Sequence, residues 1–122
     1  MNLVSASTKE MQQSRDVSII IITHDLGVVA NIAKTVAVMY GGIVVETGTV
    51  GDIFYRPRHP YTWGLLGSLS RFGVDKEKPL KSIEGTPPDL VQPPAGCPFA
   101  DRCDYAMRVC REHMPEDYLP NE

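Results

Sequence analysis

The stretch Ser18-Ile19-Ile20-Ile21-Ile22-Thr23, followed by His24 and Asp25, decides how this chain is organised. Consecutive β-branched residues without alternation are typical of a strand buried on both faces, as in a parallel sheet covered by helices. We therefore predict a strand over residues 18–23 in an α/β fold. The sequence contains about three predicted strands, and two of them form a hairpin. The isoleucine run thus lacks partners within one copy, so either the chain is a piece of a larger α/β domain or copies of it associate.

Local signals upstream and just downstream of the isoleucine run predict helices. Ser7 and Glu10 fit a capping box, which predicts a short helix from Ser7 to about Arg15. After His24, apolar side chains recur at the spacing of one helix face, which predicts an amphipathic helix. That face consists of Leu26, Val29, Ala30 and Ala33.

A hairpin and two capped helices are predicted next. Strands over residues 36–40 and 43–46 flank Gly41-Gly42, a pair that suits a tight turn with positive φ. Thr49 can cap a short helix that runs through Tyr55. Pro60 fits the first position of another helix, with His59 as its cap and an apolar stripe along it. The stripe consists of Thr62, Leu65, Leu66 and Leu69.

Proline usage divides the chain. All ten prolines lie at Pro57 or later. We therefore predict two parts, a regular one over residues 1–56 and a proline-punctuated one over residues 57–122. Within the second part, residues 70–95 are predicted to form a connector, because repeated prolines prevent a continuous helix. Residues 96–113 form a compact cysteine-bearing motif.

Composition excludes several classes of function. The net charge of −3 supports neither a nucleic-acid-binding surface nor a polybasic membrane anchor. No apolar run approaches the roughly 20 residues that span a bilayer. The odd count of three cysteines argues against a closed disulfide framework and suits a reducing, cytosolic compartment.

His24 is the first candidate for chemistry, because it lies where a predicted buried strand meets a helix. Ligands of open α/β sheets bind beyond the carboxyl ends of the strands, and a helix start there favours phosphate. The alternative is that His24 and Asp25 only cap the helix. No Gly-x4-Gly-Lys-Ser/Thr loop occurs in the sequence, so a complete nucleotide site is not predicted from these residues.

The second candidate is a cysteine motif with the spacing Cys97-x5-Cys103-x6-Cys110, followed by His113. Thiolates are soft ligands for zinc and for iron–sulfur clusters, which take four ligands. Three thiols and one imidazole make a Cys3His site chemically feasible. The alternative is that the cysteines are small apolar residues packed in a local turn.

Taken in order, these segments resemble a known family. Residues 19–30, Ile-Ile-Ile-Ile-Thr-His-Asp-Leu-Gly-Val-Val-Ala, resemble the switch-histidine segment of ABC transporter ATPases, and residues 36–48 resemble the hairpin that follows it. Three further motifs resemble the C-terminal extension of the ATP-binding subunits of oligopeptide, dipeptide and nickel importers. They are His59-Pro60-Tyr61-Thr62, residues 85–90 (Gly-Thr-Pro-Pro-Asp-Leu) and residues 96–103 (Gly-Cys-Pro-Phe-Ala-Asp-Arg-Cys). The resemblance covers roughly residues 17–114.

The resemblance implies a fold, a role and partners. Residues 1–56 would be the C-terminal part of an ABC ATPase core, the edge of a P-loop NTPase-like parallel sheet, and residues 57–122 the peptide-transporter extension. His24 would contact the γ-phosphate of ATP, with Mg²⁺ bound in the full subunit. The subunit would pair with a second ATP-binding subunit and with transmembrane permease subunits at the cytoplasmic face of the membrane. Cys97, Cys103 and Cys110 match three cysteines that hold an iron–sulfur cluster in some members.

The departures from the family pattern limit what is expected. The Walker A loop, the signature motif and the Walker B acid pair are absent from this sequence, so we expect no ATP hydrolysis by this chain alone. The fourth cysteine of the family pattern is also absent, so a cluster would be incomplete, or completed by His113 or by another chain. The other hypotheses are a small zinc or iron–sulfur interaction module and a fragment that self-associates. The transported substrate stays open among dipeptides, longer peptides and nickel.

Overall fold

The computed structural model describes residues 3–68 and 83–119. It is a mixed α/β structure with one antiparallel hairpin. In chain order the elements are α1 (Leu3–Arg15), α2 (Leu26–Ile32), β1 (Thr35–Tyr40), β2 (Ile43–Thr49), α3 (Val50–Tyr55), α4 (Pro60–Gly67), a 3₁₀ turn (Ala100–Arg102) and α5 (Arg108–Glu112).

The predicted strand over residues 18–23 is wrong for this structure. Residues 19–22, here called the isoleucine segment, belong to no strand and form no backbone–backbone hydrogen bond with any described residue. Ile20 is 93% exposed and Ile22 is 97% exposed. The physical reason is the shortage of partners noted from the sequence, because β-branched residues form a strand only where a neighbouring strand takes up their backbone hydrogen bonds.

Both helices around this segment form, with one boundary different. α1 ends at Arg15 as predicted, but it begins at Leu3, so Ser7 lies inside the helix and the predicted N-cap there is wrong. Good helix formers upstream, Leu3 and Ala6, let the helix start earlier than the capping pattern indicates. Asp25 is the N-cap of α2. Of the predicted stripe, Leu26 and Val29 are half-buried on the helix, whereas Ala30 is exposed and Ala33 lies past the end of the helix as its C-cap.

The hairpin confirms the predicted turn. Gly41 and Gly42 have φ of +58° and +82°, which only glycine adopts without strain. β1 and β2 pair from Thr35 opposite Thr49 to Tyr40 opposite Ile43, with a bulge next to Val38. Along β1 the buried side chains are Val38 and Tyr40, so the strand has one face toward the core.

The helices after the hairpin start as the sequence indicates. Thr49 and Asp52 form a reciprocal capping box at α3. At α4, Pro60 occupies the first turn and the His59 side chain accepts a hydrogen bond from the Tyr61 N–H at 3.0 Å. Leu69, the last member of the predicted stripe, lies outside the described residues. Residues 70–82 of the predicted connector lie outside them as well. Residues 83–95 contain no helix or strand.

The core lies where the C-terminal residues meet the end of the hairpin. Phe99 contacts Tyr40 of β1 and Tyr61 of α4, with ring centroids 5.1 and 5.4 Å away. A Cβ on Gly41 would come within 3.0 Å of Pro98, so the hairpin turn and the C-terminal segment are in close contact. The buried residues among those described are Val38, Tyr40, Ile53, Thr62, Gly96, Phe99 and Ala100. In the part of the chain that the structure describes, no helix is long and apolar enough to cross a membrane.

Candidate functional site

His24 lies in a turn that its neighbours hold in place. The Asp25 N–H donates to Thr23 Oγ1 at 3.0 Å. Asp25 Oδ1 accepts from the backbone N–H groups of Gly27 at 2.9 Å and Val28 at 3.2 Å. The cap role that the sequence allowed for both residues thus falls to Asp25. The Asp25 carboxylate occupies the start of α2, and the neighbouring His24 side chain is exposed.

The cysteine motif is a second place where predicted site residues come together. The Cys97 N–H donates to the Cys110 carbonyl at 2.7 Å, which joins the two ends of the motif. A Cβ on Gly96 would lie 2.2 Å from that carbonyl oxygen, so only glycine fits before Cys97. The Met107 N–H donates to the Cys110 sulfur at 3.4 Å. His113, the proposed fourth ligand, is exposed just past the end of α5.

The electrostatics around Cys103 favour its protonated thiol. Partial burial raises the pKa of the Cys103 thiol, and the nearby Cys97 and Cys110 raise it further, against the lowering effect of the Tyr105 N–H. Thiolate is the form that binds metals and attacks electrophiles, so Cys103 is a weak nucleophile near neutral pH.

The described geometry does not support a metal centre at the motif. Across residues 3–68 and 83–119, no group of three or more His, Cys, Asp and Glu side chains is arranged to hold a metal ion. The described arrangement therefore gives no support for zinc or an iron–sulfur cluster at the three thiols and His113, and no chemistry is assigned to such a group here. The packing alternative accounts for Cys97 and Cys110 as parts of a closed turn.

Arg102 anchors the cysteine motif to the rest of the molecule, a role that the sequence analysis missed. Its guanidinium donates to the carbonyls of Ile83 at 3.1 Å and Glu84 at 3.0 Å and to the Tyr40 hydroxyl at 3.2 Å. It also lies 5.8 Å from the centroid of the Tyr40 ring, within cation–π range. No local sequence signal marks this residue, because its partners are 18 to 62 positions away.

Glu46 connects β2 to the segment that leads into α4. Its carboxylate oxygens accept from the backbone N–H groups of Arg58 at 2.7 Å and His59 at 3.0 Å. Burial lowers the pKa of His59, although the Glu46 charge opposes the change. We call the contacts of Glu46 with Arg58 and His59 the Glu46 clamp. A neutral His59 can accept the Tyr61 N–H bond, so this residue takes part in both the clamp and the cap of α4. The sequence analysis missed this contact, because the partners of Glu46 lie 12 and 13 positions further along the chain.

Comparison with known proteins identifies the family. A sequence model described as "Oligopeptide/dipeptide transporter, C-terminal region" matches residues 45–110, more than half of the chain. This chain belongs to that family. The match starts within β2 and ends within α5, so it includes both the Glu46 clamp and the whole Cys97–Cys110 turn.

Similar full-length proteins carry related names. The oligopeptide transport ATP-binding protein OppD of Bacillus subtilis is 59% identical over 107 residues, which is 88% of this chain and 30% of that protein. The dipeptide transport ATP-binding protein DppD of the same organism is 58% identical over 107 residues, 88% of this chain and 32% of that protein. OppD of Escherichia coli is 45% identical over 112 residues, 91% of this chain and 33% of that protein. The chain thus spans about a third of the length of the curated relatives it matches.

Proposed function

We propose that this chain is the C-terminal portion of the ATP-binding subunit of an ABC importer that takes up oligopeptides or dipeptides. The observation that carries the proposal is the 59% identity to an oligopeptide transport ATP-binding protein across 88% of the chain. The family match over residues 45–110 supports peptides as the transported substrate, since the name of the matching family refers to oligopeptide and dipeptide transporters.

In this proposal His24 is the residue of the chain that contacts the γ-phosphate of ATP. The exposed imidazole at the end of the isoleucine segment is free to donate a hydrogen bond, while Asp25 holds the turn that presents it. The rest of the nucleotide site, including the loop that holds ATP and Mg²⁺, would come from the remaining part of the subunit. Phosphoryl transfer depends on such positioned cations and backbone amides, so the chain alone is expected not to hydrolyse ATP.

The partners follow from the same proposal. A second ATP-binding subunit would complete the nucleotide sites, and transmembrane permease subunits would hold the pair at the cytoplasmic face of the membrane. The iron–sulfur cluster at Cys97, Cys103 and Cys110 stays a prediction of the family resemblance, and no step of the proposed function passes through it. Iron and sulfide analysis of protein purified without oxygen tests it, since metal-free protein would contradict a resident cluster.

A chimeric subunit tests the function. The part of B. subtilis OppD outside the matched 107 residues is joined to this chain and produced in cells that lack their own OppD. We expect peptide uptake to be restored, and the His24→Ala variant to lose it at least a hundredfold. Gln92→Ala, at an exposed position in the connector, is the control and should leave uptake unchanged.

Two results would contradict the proposal. One is a chimera that is produced at normal levels and assembles with the permease subunits but transports no peptide. The other is saturable ATP hydrolysis by the purified 122-residue chain that disappears in His24→Ala, because the chain would then hold a complete catalytic site of its own.

A further inference from the structure

A cavity of about 340 Å³ lies between α4 and the cysteine motif. One wall is a face of α4 that includes Trp63 and Gly67. The other walls come from Ile83, Glu84 and four residues of the cysteine motif. Gly67 helps to keep the cavity open, because a Cβ there would have no atom within 4 Å. Pockets for small ligands have volumes of about 300–1,000 Å³, so this cavity has room for a small compound.

Two aromatic rings stand at right angles in the cavity wall. The ring centroids of Trp63 and Tyr105 are 5.3 Å apart, and the ring planes meet at 84°. The Trp63 ring is held in place because its Nε1–H donates to the Pro57 carbonyl at 2.7 Å. Trp63 is 41% exposed and Tyr105 is 68% exposed, so both keep uncovered ring surface. The faces of such rings carry partial negative charge, and they attract cations.

The charged groups of the wall carry an excess of negative charge. The carboxylates of Glu84 and Asp104 line the cavity, and neither forms a hydrogen bond or an ion pair with any described residue. Arg102 is the cation among the described lining residues. Its guanidinium is already bound to two backbone carbonyls and to the Tyr40 hydroxyl. Two unpaired carboxylates beside two aromatic rings therefore favour a ligand with a positive charge.

We propose that this cavity binds a small compound that carries a guanidinium group. A guanidinium is a planar cation that stacks on aromatic rings and forms paired hydrogen bonds with carboxylates. The rings of Trp63 and Tyr105 offer the stacking surface, and Glu84 and Asp104 offer the carboxylates. The inference is independent of the proposed function, because His24 and the proposed nucleotide site contribute nothing to the cavity wall.

A fluorescence titration tests this binding. Trp63 is the single tryptophan of the chain and lies in the cavity wall, so its emission reports a ligand there. N-Acetylarginine amide is added to the 122-residue chain. N-Acetylcitrulline amide is the control compound, because its neutral urea group has nearly the same shape as a guanidinium. We expect a saturable change in emission with the arginine compound, and binding at least tenfold weaker with the citrulline compound.

Changes of charge separate the cavity from the rest of the surface. Asp104→Asn and Glu84→Gln should each weaken binding of N-acetylarginine amide at least threefold, since each removes a carboxylate from the wall. Glu116→Gln removes the same charge at an exposed position outside the cavity, so it should leave binding unchanged. All three residues are exposed, so none of these changes is expected to alter folding.

Changes of shape test the cavity itself. Gly67→Leu places a side chain in the open space and should abolish binding, whereas the smaller Gly67→Ala should lower the affinity no more than twofold. Tyr105→Leu removes one ring but stays apolar, so binding should weaken at least fivefold. Urea midpoints within about 0.3 M of the parent chain would show that each variant is folded.

Four results would overturn the inference. The first is no saturable change in emission with N-acetylarginine amide, and the second is equal binding of the citrulline compound. The third is a loss of binding in Glu116→Gln as large as that in Asp104→Asn, because general surface charge would then account for the effect. The fourth concerns Lys76, Lys78 and Lys81. If replacing all three by Gln created binding that the parent chain lacks, a lysine of the chain itself would be the occupant.

Discussion

Replacing Arg102 by alanine should destabilise the contact between the cysteine motif and the hairpin. The guanidinium makes three hydrogen bonds, to Ile83, Glu84 and Tyr40, at 3.0 to 3.2 Å. At about 1 kcal/mol each, they contribute about 3 kcal/mol to the free energy of unfolding. The cation–π contact with Tyr40 adds about 0.5 kcal/mol for a partly exposed pair. Arg102→Ala should therefore cost about 3 to 4 kcal/mol.

Urea unfolding followed by the fluorescence of Trp63, the single tryptophan, measures the effect. With a denaturant slope of about 1.5 kcal/mol/M, the midpoint should fall by roughly 2 M. Arg102→Lys keeps the charge but not the fork of donors, so it should lose about 2 kcal/mol.

Arg108→Ala is the matched control for Arg102. Arg108 forms an exposed ion pair with Glu112 one helical turn away, and such pairs contribute about 0.5 kcal/mol or less. Its midpoint should stay within about 0.3 M of the parent chain. If Arg102→Ala shifted the midpoint no more than Arg108→Ala, the assignment of Arg102 as the anchor of the motif would be refuted.

Three other changes give distinct outcomes. Gly96→Ala should open the cysteine turn, because a Cβ would lie 2.2 Å from the Cys110 carbonyl oxygen. The cysteines should then react faster with a thiol reagent. Gly67→Ala, whose Cβ would have nothing within 4 Å, is the control and should not change the rate. Thr62→Val should stabilise the chain by about 1 kcal/mol in urea unfolding, because the buried Thr62 Oγ1 has no hydrogen-bond partner among the described residues; an unchanged or lower midpoint would contradict this. Since burial lowers the pKa of His59 below its ordinary 6.5, the unfolded chain takes up that proton first, and stability should fall as the pH drops below about 6.5. His59→Asn, which keeps a capping group, should weaken this dependence, and an identical pH profile would argue against His59 as its source.

Elements set by neighbouring residues could be predicted from the sequence. The Gly41-Gly42 turn, the Thr49 cap and Pro60 at the start of α4 all form where expected. Each depends on backbone conformation or on hydrogen bonds that span three residues or fewer, so the information is local. The start of α1 was misplaced because a capping pattern at Ser7 also fits a helix interior.

Contacts between distant segments could not be predicted. The partners of Arg102 lie up to 62 positions away, and Glu46 reaches residues 12 and 13 positions on. The sequence indicated His24 as a candidate because it follows an apolar run. Only the hydrogen bonds in the structure showed that Asp25, and not His24, caps α2. The cysteine spacing drew attention to Cys97, Cys103 and Cys110, but spacing alone does not say whether the sulfurs converge.

By itself the sequence determined the local elements, the family resemblance and the shortage of strand partners for residues 18–23. The reason is that periodicity, caps and turn residues act within a few positions of the chain. Only the tertiary structure decided that the C-terminal cysteine motif folds back onto the hairpin through Phe99 and Arg102. It also decided that the isoleucine segment pairs with no strand among residues 3–68 and 83–119, because strand pairing depends on which backbone edges meet in space.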